Sequence, residues 1–104
     1  MIRHCVFVKF RADVSSDQRA AIYAELNALV GQIDGLLSAD FGANVSPEGL
    51  AKGFNDGFIM DLVNAEARDR YLVHPAHQAA GAKLVAALDG GLDGLIVFDL
   101  ELAA

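Results

Sequence analysis

Tyr71-Leu72-Val73-His74-Pro75-Ala76-His77 is the stretch on which the fold turns. Proline has no amide proton and disfavours helical dihedrals in the residue before it. A helix arriving from the N-terminal side must therefore stop at His74, and a new one starts with Pro75 in its first position. One helical tract becomes two short ones. The break also gathers two of the three histidines and one of the two tyrosines. His77 falls in the first turn of the new helix, where unpaired amides and the positive end of the helix dipole favour a neutral imidazole. An imidazole that stays neutral can act as a base, so this junction is the first place to look for chemistry.

Upstream of the junction, Phe54, Asp56, Phe58, Met60 and Leu62 recur at every second position, the period of a strand. Asn64 then offers an N-cap for a short helix ending near Val73. Downstream, His77, Gly81, Leu84 and Leu88 form a stripe at helical spacing that Asp89-Gly90-Gly91 terminates. Gly81 costs a helix interior about 1 kcal/mol relative to alanine and leaves space beside the imidazole. A last strand, from about Gly94 to Leu102, is apolar on both faces at its centre.

Toward the N-terminus, Ile2, His4, Val6, Val8 and Phe10 alternate with Arg3, Cys5, Phe7, Lys9 and Arg11. Ser15 or Ser16 can cap a helix, with Gln18 three residues after Ser15 completing a capping box, ahead of Ile22, Leu26, Leu29 and Val30, and Gly31 ends that helix. A second extended segment, about Leu36 to Asn44, runs into the turn formers Asn44-Val45-Ser46-Pro47-Glu48-Gly49. The order strand, helix, strand, strand, broken helix, strand predicts an α+β, ferredoxin-like fold over residues 1–104, a four-stranded antiparallel sheet with helices on one face. Its other face would expose Cys5, Phe7, Ile59 and Val63, so a homodimer packed sheet against sheet is expected.

Composition bounds the function. A net charge of −6 without any Lys/Arg cluster disfavours nucleic acid and anionic membrane surfaces. An apolar content of 54% is high for 104 residues and fits a chain that covers part of its surface with a second copy. The single cysteine, Cys5, excludes an internal disulfide and points to a reducing compartment, so a cytoplasmic location is expected. No apolar run reaches the length of a membrane span.

The strand Ile2 to Phe10, the loop Gly42-Ala43-Asn44-Val45-Ser46-Pro47-Glu48-Gly49-Leu50, Gly53-Phe54, the Tyr71 to His77 run and the closing Val97-Phe98-Asp99 together resemble the stress-responsive A/B barrel (Dabb) family. The resemblance implies a dimeric α+β barrel with a cavity in each subunit between sheet and helices. The family includes plant stress-associated proteins and a polyketide cyclase, and fold alone does not choose among functions. In cyclase members an aldol-type ring closure runs without metal or organic cofactor, on a histidine base and a tyrosine. Those roles fall on His77 and Tyr71, with His4 as a supporting histidine. One position departs, because Asp56 stands where the cyclase has a histidine.

The expected pocket is small and mostly apolar, lined by His4, Val6, Val8, Ile22, Asp56, Phe58, Tyr71, His77 and Leu84, with no cofactor and no metal. Two classes of function follow. In one, His77 removes a proton alpha to a carbonyl and Tyr71 stabilises the oxyanion, in a cyclase, isomerase or lyase acting on a small organic molecule. In the other, the same groups satisfy one another in a ligand-binding or stress-associated structural protein. His74 is read as support for the helix break, and Cys5 as a small buried or interface residue.

Overall fold

The computed structural model describes residues 1–103, and Ala104 lies outside the described residues. The chain runs β1 (Ile2–Val8), α1 (Ser16–Asn27), β2 (Leu36–Ala43), β3 (Asp56–Leu62), α2 (Ala65–Val73), α3 (Pro75–Ala86) and β4 (Leu95–Glu101). The strands form one antiparallel sheet in the order β2-β3-β1-β4, with the helices on one face. This is the ferredoxin-like arrangement expected from the order of elements.

The two caps read from the sequence, and a third at His74 that the structure adds, hold the helices in place. Ser15 accepts from the Gln18 amide at 3.1 Å while the Gln18 side chain accepts from the Ser15 amide at 2.7 Å, closing the capping box. Asn64 accepts from the Ala67 amide at 2.9 Å at the start of α2. At the junction His74 is extended, with φ −66° and ψ 130°, and its Nδ1 accepts from the Ala76 amide at 3.1 Å. The residue that ends α2 therefore caps α3, and Pro75 occupies the first helical position, where no amide proton is needed.

Alternation along β1 puts Ile2, His4, Val6 and Val8 on the helix side. Val6 pairs with Phe58 and His4 with Met60 on β3, so the buried rows of the two strands coincide. Leu26 and Leu29, Tyr71, and Leu84 with Leu88 close over that layer. Burying a leucine such as Leu26 contributes about 2 kcal/mol, which explains why α1 is held down although most of its surface is polar.

Several boundaries differ from the sequence expectation. β1 stops at Val8, and Phe10 makes only an isolated bridge to Leu88. α1 stops at Asn27 and tightens into a 3₁₀ turn over Ala28–Gly31, a common way for a helix end to satisfy its last carbonyls. Gly35, at φ +89°, has no room for a side chain, since a Cβ there would stand 2.6 Å from the Ala67 Cβ. Cys5 is already buried within the subunit. Of the other residues expected to be exposed, Phe7 and Val63 are exposed and Ile59 is half-buried, and the apolar surface of the open face extends from Phe7 on β1 to Ile96, Phe98 and Leu100 on β4, where Phe98 is 56% exposed.

Candidate functional site

A cavity of about 480 Å³ opens between the inner face of the sheet and the α2–α3 pair. The sheet contributes His4 and Val6 from β1, Phe58 from β3, and Leu95 and Val97 from β4. Leu26 comes from α1, Tyr71 and Leu72 from α2, and His77, Gln78, Gly81, Ala82, Leu84 and Val85 from α3, with Leu92 at the turn before β4. Most of this wall is hydrocarbon, and its polar groups converge on one side, as in small-molecule sites generally.

Tyr71 is the centre of the polar side. Its ring packs against His77 with centroids 4.1 Å apart and meets His4 edge-on at 5.5 Å. Its hydroxyl donates to the Met60 sulfur at 3.1 Å. Burial, and secondarily the Asp99 carboxylate, push the phenol well above its ordinary value, so it stays a donor. Sulfur is a weak acceptor, and a ligand oxygen offers that donor a better partner.

His77 is half-buried in the first turn of α3. Its Nδ1 lies 3.3 Å from the Leu72 carbonyl, which can only accept, so the neutral ring carries its proton on Nδ1. Nε2 is then the acceptor, and it lies 4.0 Å from the point where a Cβ on Gly81 would stand. Burial lowers the His77 pKa, with His4 and His74 adding to the effect and the Leu72 hydrogen bond opposing it. A neutral ring with Nε2 free is the form a general base requires.

His4 is fixed from behind. Its Nδ1 donates to Asp99 Oδ1 at 2.7 Å, and Arg68 Nη1 donates to Asp99 Oδ2 at 2.8 Å. Desolvation pushes the Asp99 carboxyl up, but the hydrogen bonds from Arg68 and His4 outweigh it and hold Asp99 below the usual carboxylate range. The carboxylate sets the His4 tautomer and so leaves Nε2 as the ring's open position.

Of the residues expected at the pocket, His4, Val6, Phe58, Tyr71, His77 and Leu84 line the cavity, while Val8, Ile22 and Asp56 do not. Val8 is fully enclosed in the core beyond the cavity's end. Ile22 packs against that core from α1. Asp56 lies opposite Val8 in the register, and its carboxylate pairs with Arg19 at 3.6 Å. On the same helix as Arg19, Tyr23 packs on Phe41 and Phe58 with centroids 4.7 and 6.0 Å away. Asp56 borders a separate hollow of about 330 Å³ that also touches Phe7, Asp40 and Phe54.

Asp99 and Arg68 were not among the sequence candidates. Alternation in the last strand puts Asp99 on the same face as Leu95 and Val97, an acid among apolar residues, and that signal was readable. Its partner was not, because the pairing of His4 with Asp99 depends on the β1–β4 register. Among the described residues no three His, Cys, Asp or Glu side chains come together as a metal-binding group. Among the described residues, no helix is long and apolar enough to cross a membrane.

The family model described as the stress responsive A/B barrel domain matches residues 2–102. An uncharacterised protein of Streptomyces coelicolor is 37% identical over 84 residues, covering 79% of this chain and 84% of that protein. A dimeric ferredoxin-like protein of unknown function from Jannaschia sp. CCS1 superposes with a TM-score of 0.89 at 33% identity, over 97% of this chain and 98% of the other. A hydroxynitrile lyase from Passiflora edulis shares the fold, with a TM-score of 0.87 at 17% identity over 98% and 93% of the two chains.

Proposed function

The chain belongs to the stress responsive A/B barrel domain family, and from that premise we propose that it is a carbon-acid enzyme acting on a small carbonyl compound. His77 Nε2 takes a proton from the carbon alpha to the carbonyl. The electron pair of the broken C–H bond moves onto the carbonyl oxygen, and the Tyr71 hydroxyl leaves the Met60 sulfur to donate to the resulting enolate. The enolate then closes a ring, is reprotonated elsewhere or expels a leaving group, which are the cyclase, isomerase and lyase outcomes of one first step. Neither a metal nor an organic cofactor is part of the proposed step. One observation carries this reading: the Leu72 carbonyl fixes the His77 proton on Nδ1, so the free nitrogen lies on the cavity side next to Tyr71. A general base so placed is worth about 10²- to 10⁴-fold in rate. That one protein of this fold is a lyase by name is compatible with such chemistry on the scaffold.

A second reading, a small-ligand binding or stress-associated protein without catalysis, is favoured by a different observation. Tyr71 already has Met60 as a partner and His4 has Asp99, so these two donors are satisfied without a substrate. NMR titration of the three histidines, with and without aromatic and β-keto ligands, separates the two. The enzyme reading expects His77 to titrate below the ordinary value of 6.5 and to shift when ligand is added. A normal titration that ignores every ligand contradicts it.

We also propose that the open sheet face is where two copies meet. Phe7, Ile96, Phe98 and Leu100 form an apolar patch there, and the related protein from Jannaschia is described as dimeric. The cavity lies on the opposite face, so each subunit carries its own.

A further inference from the structure

Gly81 is out of place on local grounds. It lies inside α3, where glycine costs helix stability relative to alanine, and the same helix uses alanine at positions 76, 79, 80, 82 and 86. Two structural reasons for a glycine are absent here. Gly81 is not among the positive-φ glycines, and a Cβ built on it meets only His77 Nε2, at 4.0 Å, an ordinary van der Waals distance. The fold therefore accepts alanine at this position. What the glycine preserves is empty space inside the cavity, directly beside the His77 nitrogen that carries no proton.

We propose that Gly81 is a specificity-determining residue, and that the notch it leaves receives the alpha carbon of a carbonyl substrate. A carbon poised to give up its proton sits about 3 to 3.5 Å from the accepting atom. The missing Cβ marks a point 4.0 Å from Nε2, so an alanine methyl and a substrate CH₂ compete for the same volume. The carbonyl oxygen of a ketone held there lies toward Tyr71, whose ring adjoins His77. The neighbouring wall, with Leu84, Val85 and Val97, takes the apolar remainder of the molecule.

This inference rests on the proposed function for its chemistry, yet binding alone tests it. The wild-type protein and Gly81→Ala are compared by thermal melting and by NMR titration of the His77 ring with phenylacetone, 2-heptanone and acetylacetone. The expected result is a Tm raised by about 4 °C in Gly81→Ala, from the gain in helix propensity, together with at least tenfold weaker binding of the ketone that the wild type binds best. Gly81→Ser, with its added hydroxyl, is expected to weaken binding likewise without that gain in Tm. Three outcomes overturn the proposal: unchanged affinity in Gly81→Ala, a lowered Tm showing that the fold itself needs the gap, or no binding of any of the ketones by the wild type. Binding that is lost in Gly81→Ala while the wild type shows no proton exchange supports the notch and contradicts only the catalytic reading.

Discussion

His4 and Asp99 face each other across the β1–β4 register, with the imidazole Nδ1 2.7 Å from the carboxylate. The pair joins two neighbouring strands, is tied to α2 through Arg68, and presents its imidazole to the cavity. Asp99→Asn keeps the shape but removes the charge that Arg68 and His4 share. The expected loss of stability is about 1–3 kcal/mol, since charged donors are left with a poorer partner. Urea denaturation measures it, and Asp99→Asn should also weaken ketone binding because the His4 tautomer is no longer imposed.

Tyr71→Phe separates the hydroxyl from the ring. The ring supplies the packing against His4 and His77, whereas the hydroxyl donates only to sulfur. Stability is expected to change by no more than about 1 kcal/mol. Turnover, once a substrate is found, should fall about 10²-fold, the usual loss when one oxyanion donor is removed. Paired denaturation and kinetic measurements check the contrast.

The pH dependence follows from the lowered proton affinity of His77 in the folded chain. As pH falls through the ordinary histidine value of 6.5, the unfolded chain takes up the proton first, so stability drops until the folded ring titrates as well. The contribution is fully present above that value. The acid limb of kcat/KM should have its midpoint below 6.5, because the base works only while neutral. Comparing the wild type with His77→Gln across pH 5 to 8 isolates this group.

Phe98→Asp puts a charge at the centre of the open apolar face. The expected outcome is a monomer with its sheet and helices intact, seen by sedimentation and circular dichroism. A dimer that survives the change places the interface elsewhere.

Much of the architecture was legible in the residues themselves. Period-two alternation fixed the inward phase of β1 and β3, and Ser15, Asn64 and Pro75 marked helix starts that the structure places at those residues. Such signals are local, and each is written within a few consecutive positions. The extent of the cavity was less legible. Asp56 has the right phase for the pocket, yet it stands at the start of β3, paired with Arg19 of α1 and outside the cavity lining, a tertiary pairing that alternation along a strand does not show. The Asp99 partnership was hidden for the same reason, since a strand's register against its neighbour is a tertiary property. Gly81 was legible from sequence as a weak helix position that leaves space beside the imidazole, and the structure adds which nitrogen, Nε2, the gap adjoins and at what distance.

The most direct test of the central claim is the rate at which the protein exchanges alpha protons of simple ketones for deuterium in D₂O, followed by NMR. Exchange needs only the first step, so it does not depend on knowing the natural substrate. The account expects at least one ketone to exchange about 10²-fold or more above a matched imidazole buffer, with the gain abolished in His77→Gln and sharply reduced in Tyr71→Phe. Ketones that bind beside His77 without any exchange above that background would contradict the catalytic claim and leave a binding protein.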